Sequence, residues 1–109
     1  MTPTPILLKI ADEFSKTPGP RERRLGQFSA EEFFENVLEP KYLAAREQGT
    51  SLIIDLDGTA GYPISFLAYA FGKLEIDHPG ARQFVLLISL EEPYLVDDIR
   101  EIFDETTQF

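Results

Sequence analysis

The chain has no cysteine, which removes disulfides, thiol nucleophiles and thiolate metal sites together. It has a single histidine, His78. A histidine-rich metal centre therefore cannot form within one chain, and any Ser-His-Asp triad would have to use His78. Positive charge is scarce: 10 Lys and Arg face 19 Asp and Glu, a formal net charge of −9. Such a surface repels phosphate backbones, which argues against nucleic-acid binding and favours basic partners. An ordinary acidic cytosolic surface accounts for this charge more simply than a dedicated mimic of DNA. No apolar run is long enough to span a bilayer, and the start lacks the basic-then-apolar pattern of a signal peptide. A cytoplasmic protein with no membrane association is expected.

What remains suits a small globular protein. The 109 residues are 43% hydrophobic and 27% charged, enough for one domain over 1–109 with one modest core. Residues 1–5 are rich in Pro and Thr and are expected to fray. Ile6–Ile10 reads as a first strand. Ser15–Pro20 carries two prolines and a glycine and reads as loop. Arg21, Arg23 and Arg24 follow, the one basic cluster of the chain. They suit either ion pairs with nearby carboxylates or an anion or partner contact.

Ser29 and Glu32 have the S-x-x-E spacing of a capping box, with Phe28 placed as a hydrophobic staple. Phe33, Phe34, Val37 and Leu38 recur at helical spacing behind them. Glu39-Pro40 predicts a kink or an end. Tyr42–Glu47 reads as a second short helix or a continuation, stopped at Gly49. Leu52–Leu56 has the apolar run of a buried central strand. Gly58 and Gly61 then bracket a turn, and Pro63 suits the first position of a helix running to about Leu74. His78-Pro79-Gly80 reads as a surface turn, Phe84–Leu90 as another buried strand, and Tyr94 to about Glu105 as a last helix. The order β-α-β-α-β-α predicts an α/β fold with a mainly parallel sheet.

Chemistry concentrates between Ser51 and Glu75. Asp55-Leu56-Asp57-Gly58-Thr59 after an apolar strand resembles the first motif of haloacid-dehalogenase-type phosphatases. That resemblance implies a nucleophilic Asp55, an acid/base Asp57 and magnesium. Its context is missing: the motif falls mid-chain, and no lysine stands between Ser89 and Asp97-Asp98. Turn chemistry and a satisfied strand-end carboxylate account for the same residues.

Three runs together resemble a different family: Pro18–Arg21 (PGPR), Ser29–Pro40 (SAEEFFENVLEP) and Ile53–Leu74 (IIDLDGTAGYPISFLAYAFGKL). They look like the STAS-like domain family, over roughly Ile6–Leu74, and depart from its usual pattern at Ala30 and Phe34. STAS domains are βα modules similar to anti-sigma-factor antagonists, whose helix-start serine is phosphorylated by a partner kinase. Laid on that segment, Ser65 takes the phosphoacceptor position. Pro63 stands where an aspartate is usual, and Phe66 replaces a glycine. The resemblance implies a non-enzymatic regulatory module with no cofactor and no metal. Its partner would be a protein, such as an ATP-binding kinase-like one. The contact surface would comprise Gly58, Thr59, Gly61, Tyr62, Ile64 and Ser65. As a plain helix-start hydroxyl Ser65 would only bond nearby backbone. The other functions weighed are the magnesium-dependent phosphotransferase and a small acidic inhibitor or defence-system binding protein.

Overall fold

Ile6–Lys9, Leu52–Asp55 and Val85–Ile88 form strands β1, β2 and β3 of one parallel sheet in the order β1-β2-β3. The structure is a computed structural model that describes residues 3–107. Of the stretch expected to fray, residues 1 and 2 lie outside the described residues, while the Pro3 carbonyl accepts the Thr50 hydroxyl at 3.2 Å. The helices are α1 (Ile10–Glu13), α2 (Ala30–Phe33), α3 (Glu39–Glu47), α4 (Ile64–Asp77) and α5 (Tyr94–Thr107). The fold is the small α/β arrangement that the alternation of elements predicts.

Strand alternation divides the sheet into two unequal faces. Leu8, Leu52, Ile54 and Val85 point into the core, with Ile6 and Leu87 packed at its margin. There they meet Phe33, Phe34, Phe66, Phe71, Ile99 and Phe103 from the helices. Ile53, Leu7, Leu86 and Ile88 point the other way. Leu7 and Leu86 are more than half exposed, at 55% and 53%. The apolar runs of β2 and β3 predict strands buried on both faces, as parallel sheets usually are. Here the described helices cover one face only. A continuous apolar run records the strand but not how many of its faces are covered.

The first helical stretch starts where the cap predicts. Ser29 Oγ accepts the Glu32 N–H at 3.1 Å, and the carbonyls of Pro20 and Arg21 take the N–H groups of Ala30 and Glu31. The loop before the helix thus does much of the capping. Phe28 packs edge-on against Phe14, and Phe14 packs in turn against Phe33. Pro40 does not end the helix. A π turn over Phe34–Leu38 joins α2 to α3, with the Glu39 N–H bonded to the Phe34 carbonyl. The five-residue spacing just ahead of Pro40 absorbs both its ring and its missing donor. Helix α3 closes at Gly49 (φ 69°). Gly49 N–H bonds the Arg46 carbonyl and Thr50 N–H that of Ala45, a Schellman motif.

Two further expectations shift. Pro63 is the residue before α4 rather than its first residue, with an extended ψ of 139°. The helix runs on to Asp77, past Leu74. His78 is half-buried rather than a plain surface turn residue: its Nε2 lies 2.8 Å from Glu39 and its ring 5.2 Å from that of Tyr42.

Candidate functional site

The carboxyl ends of parallel strands open onto their loops, and that is where such folds place their sites. Here β2 ends at Asp55 and β3 at Ile88, joined beyond the strands by Leu56 N–H to the Ile88 carbonyl at 2.8 Å. Asp55 Oδ1 accepts the Asp57 N–H at 3.0 Å, which turns the chain sharply after the strand. The Asp57 carboxylate then crosses to the other loop. It accepts the N–H groups of Leu90 and Glu91, each at 3.0 Å. Glu91 Oε1 returns the bond to Gly58 N–H at 2.6 Å. The amides of Glu91 and then Leu90 hold the Asp57 carboxyl below the usual carboxylate range. Both aspartates therefore shape backbone, and the Asp57 oxygens are already engaged by amide donors. No cluster of three or more His, Cys, Asp or Glu suited to a metal ion occurs among the described residues.

The loop after Gly58 is pinned at further points. Gly58 has φ +93°, and a side-chain carbon there would lie 3.2 Å from the Ala11 Cβ, so the turn needs glycine. Ala60 N–H bonds the Lys16 carbonyl at 2.8 Å. Tyr62 turns inward: its hydroxyl donates to the Leu56 carbonyl at 2.8 Å and its ring lies 6.2 Å from Phe66. Burial first of all pushes the Tyr62 phenol up to about 12. Tyr62 is thus a loop anchor, and Thr59 and Gly61 are half-buried beside it.

Past these anchors the chain turns outward. Pro63, Ile64 and Ser65 are all exposed, Ile64 at 68%. The first helical bonds run from Phe66 and Leu67 to the Pro63 carbonyl. The N–H groups of Ile64 and Ser65 therefore have no partner among the described residues, and Ser65 makes no side-chain cap. A family model described as a STAS-like domain of unknown function (DUF4325) matches residues 29–94. The chain belongs to this STAS-like family. No curated protein and no solved structure matches it.

The STAS-like match covers more than half of the chain, but not the part the sequence resemblance begins with. It starts at Ser29, so β1 and Pro18–Arg21 lie outside it, and it runs past Leu74 to Tyr94, taking in β3. The basic cluster of this STAS-like chain reaches α4 one turn past Ser65, where Arg23 and Arg24 line a shallow surface cleft with Tyr69. Arg23 pairs with Glu35 at 2.7 Å and Arg24 with Glu22 at 2.6 Å, while Arg21 is exposed with no ion pair among the described residues. Two residues of the site escape sequence reasoning. Glu91 fixes Gly58, and Leu90 is 82% exposed on the loop that Asp57 holds. Their position just past the third strand was the available signal.

Proposed function

We propose that this STAS-like domain is a non-catalytic regulatory module. It binds a protein partner through the turn and helix start at 58–66, in the manner of an anti-sigma-factor antagonist. The observation that carries this is the contrast within one loop. Gly58, Ala60 and Tyr62 are each tied down by hydrogen bonds, while Ile64 beyond them stands 68% exposed beside exposed Pro63 and Ser65. A preorganised backbone carrying an exposed aliphatic side chain suits recognition, because little ordering entropy remains to be lost on binding. The amide donors that occupy the Asp57 oxygens support a shaping role over phosphoryl transfer.

Ser65 is the regulated residue in this proposal. A phosphate on it would sit at a helix start with unpaired N–H groups, where backbone donors and the helix dipole favour an anion. The partner is an ATP-binding, kinase-like signalling protein, as the family likeness to anti-sigma-factor antagonists suggests. Affinity capture from the native host with mass spectrometry tests it, reporting the partner and any phosphate together. Ile64→Asp and Ser65→Glu are each expected to lose that partner, and Asp57→Asn to keep it. Retention by both helix-start variants, or phosphoester turnover that vanishes in Asp55→Asn, overturns the proposal.

A further inference from the structure

The two outer edges of the sheet are finished differently. On β1, Ile6 N–H bonds the Ser51 carbonyl at 3.0 Å. Main-chain direction alternates along a strand, so Ile6 and Leu8 face β2 while Leu7 and Lys9 face outward. Side chains close that edge. Glu13 accepts the Lys9 N–H at 2.8 Å, Lys41 Nζ reaches the Leu7 carbonyl at 3.5 Å, and Lys41 and Glu13 pair with each other. This ion pair stands where a further strand would bond, a common way of blunting an edge.

Among the described residues no side chain closes β3 in this way. The Ile88 carbonyl takes the Leu56 N–H, so Ile88 and Leu86 face β2, and Val85 and Leu87 face outward. Val85 N–H is used by the Arg82 carbonyl. The N–H and carbonyl of Leu87 have no partner among the described residues. Beside them lies a cleft of about 350 Å³, lined by Val85, Leu86, Leu87 and Phe103 together with Arg82, Arg100 and Asp104. Arg82 is matched by Asp104. Arg100 is exposed and has no ion pair among the described residues.

We propose that the β3 edge is a second binding site, which takes an extended peptide segment of a partner protein as a fourth strand. The segment bonds its main chain to Leu87, lays apolar side chains into the cleft against Val85 and Leu87, and sets a carboxylate on Arg100. Main-chain pairing supplies affinity and the alternate side chains supply specificity, as in strand addition generally. The carboxylate follows from position: of the two arginines lining the cleft, Arg82 is matched by Asp104, while Arg100 has no ion pair among the described residues. A second copy of the chain fits less well, because it brings a net charge of −9 of its own to the junction.

The site is independent of the helix start, and so is its test. A randomised nine-residue peptide library displayed on phage is selected on the full chain, and a synthetic consensus peptide is titrated by calorimetry and amide exchange. The expected consensus alternates apolar positions and carries one Asp or Glu. The peptide should protect the Leu87 amide about tenfold, bind about tenfold more weakly to Arg100→Glu, and bind unchanged to Ile64→Asp. A protein in which Leu87 is already as protected as Ile88 in dilute solution, and which sediments as a dimer, overturns the proposal in favour of self-pairing. No enrichment, a peptide indifferent to Arg100→Glu, or protection at 64–67 instead of Leu87 also overturns it.

Discussion

Asp57 and Glu91 hold each other's loops. The Asp57 carboxylate accepts the Glu91 N–H at 3.0 Å, and Glu91 Oε1 accepts the N–H of Gly58, the residue after Asp57, at 2.6 Å. The two loops at the carboxyl end of the sheet are thereby one unit, and the exposed Ile64 and Leu90 project from its two halves. This explains how two four-residue strands carry a defined surface. The loops are fixed by charge-assisted bonds to amides rather than by burial.

This brace is sensitive to acid. Its folded carboxyl lies below the ordinary carboxylate range, first because of the Glu91 amide and then that of Leu90. A lowered folded value gives stability that is fully present above the unfolded value, about 3.9. It is lost as pH falls through the folded value. Asp57→Asn keeps an acceptor oxygen but removes the charge. The variant is expected to melt lower at neutral pH and to close the gap with the parent as pH drops below about 4. Thermal melts of both proteins across that range check it. A gap that stays constant with pH would mean that the Asp57 charge contributes nothing to the brace.

Two glycines should respond oppositely to alanine. Gly58 has φ +93° and only 3.2 Å between an added carbon and the Ala11 Cβ. Gly58→Ala is expected to destabilise by at least about 1–2 kcal/mol, the cost of left-handed backbone alone. Gly72 lies inside α4, where an added carbon would meet Thr106 Oγ1 at 3.6 Å and Ile102 at 3.9 Å, ordinary contact distances. Gly72→Ala is expected to stabilise by roughly 0.5–1 kcal/mol through helix propensity. Chemical denaturation of both variants measures the signs. A destabilised Gly72→Ala would show that α4 and α5 meet too closely there for a methyl group.

The proline junction gives a third test. If the π turn over Phe34–Leu38 exists to accommodate Pro40, Pro40→Ala should let that segment relax toward regular helix. The expected readout is a shift of amide exchange and chemical shifts confined to 34–40, with stability changed by no more than about 1 kcal/mol. Unchanged shifts there would assign the turn to the packing of Phe34 and Leu38 instead.

Periodicity and punctuation made much of the fold legible. The Ser29 cap, the Gly49 stop and the inner face of α5 at Leu95, Ile99 and Phe103 stand where spacing puts them. These features are local, and a window of sequence contains their cause. Pro40 misleads because local preference is overruled by a change of helical pitch two residues earlier. The single covered face of the sheet is invisible for a different reason, since Leu86 and Leu87 read alike although one faces solvent and the other the core margin. At the candidate site, the turn at Gly58 is readable from Asp-Gly alone. The bond from Glu91 is not, because it joins residues 33 positions apart.

Glu75 shows how such a distant bond can fix the next strand. It lies near the end of α4, only 3% exposed, where an acidic group opposes the helix dipole. Its two oxygens explain its presence, since they accept the N–H groups of Gly80 and Arg82 and so shape the turn that launches β3. Glu75→Ala leaves both donors without that partner and is expected to cost about 2–3 kcal/mol. Glu75→Gln retains one acceptor oxygen and should cost less than alanine. Denaturant melts give this order, and exchange at the Gly80 and Arg82 amides should speed in the same order. If alanine matches the parent in both measurements, the Glu75 contacts do not determine the turn, and the placement of β3 must come from Val85 and Leu87 packing on the core.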